Sequence, residues 1–397
     1  MATARLLDLT RLVSRLGRGP LTGIDRVELA YLTRFLEGDP PVFGLIRSAA
    51  GFLLLDHAGC DGLARLARGE GALPAADLIS WLLHRKDRLR ARAETAARRL
   101  AMARAARPGL ARLLRHMPTG AAYYNVGHTN LSARDLGRIK AAGLRITVMI
   151  HDTIPLDHPE FARPDTVPVF RRKLASVAAH ADRLIHLTEA TRQKTEAQLA
   201  RLGRVPPGLV APLGVEVPEP GPLPAGLVPV SPYFVTLGTI EPRKNHALLL
   251  DVWARLPKPA PQLFILGNRG WAGPELIARL DALPKDGPVQ ERNGLADSAV
   301  ATLIAGAAAL LAPSRAEGFG LPPVEAACLG TAVIATDLPV TRELLGNKAV
   351  YLPPDDIYSW METIIGQATN ARTDQTKTAP PSFAWADHFN AALSLDG

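Results

Sequence analysis

Short apolar runs alternate with longer amphipathic stretches along most of the chain, the pattern of strands buried on both faces and of the helices that cover them. Residues 6–10 read as a first strand, and Ile24–Leu36 repeats its apolar residues at helical spacing. Residues 41–47 and 52–56 continue the sheet. After a basic helical region the alternation resumes with strands at 123–126 and 145–150, a helix at 132–142 between them, and strands at 183–187 and 209–215. The Pro- and Gly-rich run 217–229 reads as an interdomain linker, because the periodic pattern stops there and restarts beyond it. Strands at 233–237 and 263–267, a helix at 297–307 and strands at 307–312 and 332–336 build the second half. The pattern predicts an α/β protein of two doubly wound domains, 1–218 and 219–375, the first carrying a basic helical insertion at about 74–118. Residues 367–382 are polar and low in complexity, and 376–397 close the chain with a helix.

Composition adjusts this picture little. At 397 residues there is room for two cores, and 47% apolar with 21% charged residues is ordinary for a globular protein. Cys60 and Cys328 lie far apart and form no metal-ligand spacing or disulfide framework, which fits a reducing compartment. The first residues lack the apolar core of a secretory signal, and the longest apolar run, 299–312, is too short to span a bilayer. A cytoplasmic protein is expected.

The formal net charge of +8 is local. Between Arg85 and Arg115 eleven Lys or Arg accompany two acids, an excess of nine, so the rest of the chain is near neutrality. No aromatic residue falls between Trp81 and Tyr123 to stack on bases, so a nucleic-acid partner is not expected. An anionic membrane surface is the partner expected for this segment, each Lys or Arg near it contributing about 1 kcal/mol. Because its apolar positions are mostly alanine, a solvated helical hairpin is the other reading.

The densest candidate chemistry lies between Pro313 and Gly330, where Glu317 and Glu325 flank Gly318, Phe319, Gly320, Leu321 and a diproline. Glycines let a backbone approach a ligand closely, and Pro322 and Pro323 suit a first helical turn, where a missing N–H costs nothing. Glu325 is expected in that first turn and Gly330 at the helix stop. A strand, loop, helix and strand in this order present the loop at the carboxyl end of the sheet, with a helix N-terminus that favours an anion. Carboxylates accept hydrogen bonds from vicinal hydroxyls, so the pair suits two polyols on either side of a phosphate. The plainer alternatives are that Glu325 complements the helix dipole and Glu317 is a surface residue.

The run Glu317, Gly318, Phe319, Gly320, Leu321, Pro322 and Glu325 closely resembles the signature of the retaining GT-B nucleotide-sugar glycosyltransferases, often called glycosyl transferases group 1, in a bacterial mannosyltransferase-like branch. The resemblance implies a GT-B fold, with two Rossmann-like domains facing a central cleft and the last helix crossing back onto the first. It implies that Glu317 lies against the donor sugar, that Glu325 binds the nucleotide ribose, and that the amides of Gly318, Phe319, Gly320 and Leu321 meet sugar and phosphates.

Other loops share the resemblance. Arg243 and Lys244, a planar fork beside a point charge before a helix capped by Asn245, are implied to bind the diphosphate. Gly23, within residues 22–27, is implied to let the first domain's backbone near the donor. The resemblance implies that His151 and Asp152, after the strand 145–150, face the reacting sugar, and that Gly267, Arg292, Asn293 and Leu295 lie on loops that receive the base. His128 occupies a similar strand end, and Glu343 is expected to support the site from a neighbouring helix. A tight turn at Gly23, a capped turn at His151-Asp152 and a solvated pair at Arg243-Lys244 are the bland alternatives. Gly17, Gly19 and Gly23 form a loose dinucleotide fingerprint one residue too long, which argues against hydride transfer.

What the resemblance implies is transfer of a hexose, with retention, from a nucleoside diphosphate sugar to a glycan or lipid-linked acceptor in cell-surface polysaccharide synthesis. GDP-mannose is the first guess for the donor. No cofactor beyond the donor is expected. Since no Asp-X-Asp occurs, Arg243, Lys244 and helix termini are expected to neutralise the leaving group without a metal ion. A GT-B sugar-nucleotide epimerase and an inactive GT-B scaffold are the alternatives.

Overall fold

The computed structural model describes residues 2–19, 21, 23–370 and 383–394. Thr22 of the first loop and the 371–382 part of the polar stretch lie outside the described residues. Eight strands form a first sheet: β1 (Arg5–Asp8), β2 (Val42–Ser48), β3 (Gly51–Leu55), β4 (Ala103–Ala105), β5 (Ala122–Asn125), β6 (Arg145–Ile150), β7 (Arg183–His186) and β8 (Gly208–Val210). Their spatial order is β4-β3-β2-β1-β5-β6-β7-β8, with β3 antiparallel to both neighbours. A second sheet contains β9 (Tyr233–Leu237), β10 (Gln262–Leu266), β11 (Val289–Arg292), β12 (Ala309–Ala312), β13 (Val333–Thr336) and β14 (Ala349–Leu352). Its order is β11-β10-β9-β12-β13-β14, parallel throughout.

Helices cover both faces of each sheet, so β1, β5 and β13 are buried along their whole length, including the polar residues Asp8, Asn125 and Thr336 at their carboxyl ends. The strand order reverses between β1 and β5 in the first sheet and between β9 and β12 in the second. Crevices outside the carboxyl ends of strands at such reversals are where open α/β sheets bind ligands.

Between the sheets, residues 211–232 contain no helix or strand, and Gly221 is tied to the second domain by Thr302 Oγ1, which donates to its carbonyl oxygen at 2.6 Å. The final helix, Trp385–Leu393, returns to the first domain. There Tyr31 Oη donates to His388 Nε2 at 2.8 Å, and the carbonyls of Ala211 and Pro212 accept from His388 Nδ1.

The basic segment departs from expectation. It is not a helical insertion set apart from the sheet: β4 pairs antiparallel with β3, and Ala93 and Ala97 of the helix Arg88–Leu100 enter the core. Gly51 admits β4, since a Cβ there would lie 2.1 Å from the carbonyl oxygen of Ala105. Several of the charges are also engaged internally. Arg98 is buried and donates to Asp77 at 2.9 Å and to Ser80, Arg90 pairs with Glu94 at 3.0 Å, and Arg92 donates to the carbonyl of Pro74. Between the first strand and the helix Ile24–Leu36, where the sequence suggests a glycine-bearing loop over 11–23, the chain forms a further helix, Thr10–Arg15.

Candidate active site

A cavity of about 460 Å³ lies between the two sheets. From the first domain Gly23, Arg26, His151 and Asp152 line it; from the second, Gly238, Arg243, Lys244, Glu317, Glu325 and the loop between those glutamates.

The loop follows β12, and Gly320 turns it into the helix Leu321–Cys328 with a φ of 84°. Pro322 and Pro323 occupy the first turn as expected, but the helix starts at Leu321, which places Glu325 one residue further along, just past the first turn. Those prolines lack N–H groups, so the helix end offers fewer free amides than the loop before it. Glu325 therefore does not complement the dipole. Its carboxylate is buried and reaches across the cleft, accepting from Arg26 Nη1 at 2.7 Å, while Arg26 Nη2 donates to the carbonyl of Glu216 at 2.9 Å.

Glu317 sits between two cations. Oε1 accepts from Lys244 Nζ and Oε2 from Arg243 Nη1, each at 2.6 Å. Burial pushes this carboxyl up, but Arg243 and Lys244 more than offset it and bring the group down to about 2. Arg243 also pairs with Glu241 at 2.8 Å and donates to the carbonyl of Ala316 at 2.9 Å. Burial disfavours its charge, and Glu317 and Glu241 outweigh that, so its pKa rises. Asn245 does not cap the following helix. It adopts φ 54° and donates through Nδ2 to the carbonyl of Pro354 at 2.9 Å.

His151 is buried, and its Nε2–H donates to the carbonyl of Val126 at 2.7 Å. Burial lowers its pKa to about 4, so near neutral pH the ring is uncharged. Its backbone N–H donates to His128 Nε2 at 3.2 Å. His128 stands behind His151 rather than on the cavity wall, and burial, then His151 and Lys173, push its pKa well down. Asp152 Oδ1 accepts from the Ile154 amide at 3.0 Å; burial raises its pKa against the opposing charge of Arg243.

Phe319 is mostly core, its ring 6.2 Å from that of Phe383. Asn293 is exposed and Leu295 packs against the core, and neither lines the cavity. Of the four residues expected on those loops Gly267 alone lines the cavity, beside Asn268 and the helix Asp297–Ala305. Glu343 lies away from the cavity and joins the domains, accepting from the amides of Glu189 and Ala190 at 2.6 and 2.9 Å at the start of the helix Glu189–Ala200. Arg26 and Thr191 were not legible as site residues. The partners of Arg26 and Thr191 are 299 and 127 positions away, and no local pattern signals such pairs.

Residues 226–371 match the glycosyl transferases group 1 family. The chain is 32% identical over 246 residues to the serotype-specific mannosyltransferase WbdA of Escherichia coli, covering 56% of this chain and 30% of WbdA. It is 34% identical over 135 residues to the O-antigen chain mannosyltransferase RfbU of Salmonella typhimurium, covering 33% of this chain and 37% of RfbU. The matches thus span about a third of the length of these relatives. The crystal structure of Anabaena Alr3699/HepE in complex with UDP-glucose shares the fold, with a TM-score of 0.61 at 14% identity over 99% of this chain and 97% of that one. The likeness to the glycosyl transferases group 1 is thus carried by the second domain, and the two facing α/β sheets have the GT-B fold.

Proposed function

We propose that this protein is a retaining glycosyltransferase that moves a hexose from a nucleoside diphosphate sugar to a glycan or lipid-linked acceptor in cell-surface polysaccharide synthesis. The names of WbdA and RfbU favour mannose, and GDP-mannose is the donor to test first. In this reading the protein works in the cytoplasm or peripherally on the inner face of the membrane; no described helix is long and apolar enough to cross one.

The observation that carries the proposal is the Arg243, Lys244 and Glu317 cluster on the cavity wall. Bond cleavage at the anomeric carbon places growing charge on the donor diphosphate. Two cations already held at 2.6 Å from one carboxylate can meet that charge with little rearrangement. Arg26 takes one oxygen of Glu325, leaving the other for ribose hydroxyls. A neutral His151 can face an uncharged sugar without repelling the diphosphate's cations. In the front-face route the bond from the anomeric carbon to phosphate oxygen breaks, the acceptor oxygen bonds on the same face, and the leaving phosphate takes the acceptor's proton.

Incubation of the full chain with a panel of radiolabelled nucleotide sugars tests the reading. Transfer to an acceptor, or slow hydrolysis of one donor, is expected. Interconversion of the sugar without transfer would favour an epimerase, and binding without either reaction an inactive scaffold.

A further inference from the structure

The first sheet has a crevice of its own at its reversal of strand order, a cavity of about 850 Å³. Thr10 after β1, Arg47 on β2 and Thr129 after β5 form its floor, and Arg90, Arg107, Arg172 and Lys173 surround it. Among the described residues Glu94 is the only carboxylate on the wall. It is already held by Arg90 at 3.0 Å and by the amide of Ala49 at 3.2 Å, with His84 Nε2 3.1 Å away. The guanidinium groups of Arg47, Arg107 and Arg172 have no carboxylate partner among the described residues. Burial, then Arg11 and Arg47, lowers the pKa of Lys173, a sign of crowded positive charge.

Two further details point to a ligand. Asn130 is buried, donates through Nδ2 to Asp8 at 2.9 Å, and leaves Oδ1 without a partner, an acceptor for a hydroxyl. Lys173 Nζ donates to the carbonyl of His128 at 2.8 Å, and His128 in turn accepts from the amide of His151, so the crevice adjoins the cleft. At the rim, His84 ends the helix Leu78–Leu83, whose Leu78, Ile79, Trp81, Leu82 and Leu83 are all exposed.

We propose that this crevice binds a phosphate or diphosphate group, carried on a lipid whose chain lies along the exposed helix or on a soluble sugar phosphate. Arginine forks grip phosphate oxygens in pairs, which explains several unpaired guanidiniums around one cavity. As an acceptor subsite it rests on the glycosyl-transfer reading; as a phosphate site it stands without it.

Calorimetric titration of the full chain with inorganic pyrophosphate tests the proposal. The wild type is expected to show two sites. Arg47→Gln/Arg172→Gln weakens one of them tenfold or more and leaves nucleoside diphosphate affinity unchanged, whereas Lys244→Ala weakens the other. A folded double variant whose titration superimposes on that of the wild type overturns the proposal. Arg107→Gln, a single exposed change, gives the same test should the double variant not fold. Sedimentation with vesicles of phosphatidylglycerol or of phosphatidylcholine identifies the carrier. Loss of phosphatidylglycerol binding in Trp81→Ser/Leu82→Ser, with the pyrophosphate titration intact, supports a lipid. No sedimentation of the wild type, with that titration intact, supports a soluble phosphate. Failure of the glycosyltransferase reading shows separately, as pyrophosphate binding in the crevice without turnover of any donor.

Discussion

A Cβ at position 318 would lie 2.4 Å from the carbonyl oxygen of His151, so the two domains touch at a point that only glycine permits. Thr191 fixes the same contact by donating from Oγ1 to the carbonyl of Gly318 at 2.8 Å. In Gly318→Ala the added methyl meets backbone, which cannot rotate away, and the domains must separate by a few tenths of an ångström or more. Turnover is expected to fall about tenfold to a hundredfold, since small misplacements across a reacting centre are costly. Steady-state kinetics beside a melting curve check this. An unaltered kcat would show that the close approach is not needed.

Arg26 and Glu325 join the domains across the cleft at 2.7 Å. Arg26 is about a third exposed, so solvent screens the pair, and Arg26→Ala is expected to cost only about 0–1 kcal/mol of stability. Its larger effect should be on the donor, because Glu325 loses the partner that orients it. A severalfold rise in donor KM with a nearly unchanged melting temperature is expected. A large drop in melting temperature would recast the pair as a structural clamp.

The cations at Glu317 give a two-sided expectation. Arg243→Ala or Lys244→Ala should weaken nucleoside diphosphate binding about 10- to 100-fold, the range for a hydrogen bond between charged groups. Glu317→Gln releases both cations, so the diphosphate should bind as tightly as in the wild type or more tightly while turnover falls. Calorimetry with the nucleoside diphosphate separates these cases. Equal weakening in all three variants would mean that the cluster acts only as a scaffold.

Stability should fall in acid in two stages. His151, His186, His246 and His388 are held at about 4, chiefly by burial. Their folded values lie below the free value near 6.5, so the stability they confer is complete above that pH and is lost as the pH falls toward 4. Each contributes on the order of 3 kcal/mol. Glu317, depressed to about 2, adds stability that is present above about 4.5 and is lost as the pH falls through 2. Melting temperatures measured from pH 7 to pH 3 should drop steeply below 6.5, and more shallowly in His388→Gln. A flat profile down to 4.5 would contradict the assignment.

What the sequence determined by itself was the set of elements and the chemistry of one loop. Ile24–Leu36, Arg145–Ile150 and Tyr233–Leu237 form over the residues that the apolar pattern marks, because burial of a strand on both faces, or of one helix face, leaves a local and periodic trace. Glycines and prolines around Glu317 and Glu325 were equally legible, since backbone needs are met within a few residues. Tertiary structure alone decided the partners. Arg26 with Glu325, Glu343 with the amides of Glu189 and Ala190, and the arginines around the first-sheet crevice meet only because strand order brings distant loops to one edge. It also put the strand β4 into a stretch whose alanines look helical, where pairing with β3 overrides intrinsic propensity. A side chain's identity limits which bonds it can make, but which group comes within 3 Å of it is set by topology, and that leaves no periodicity to read.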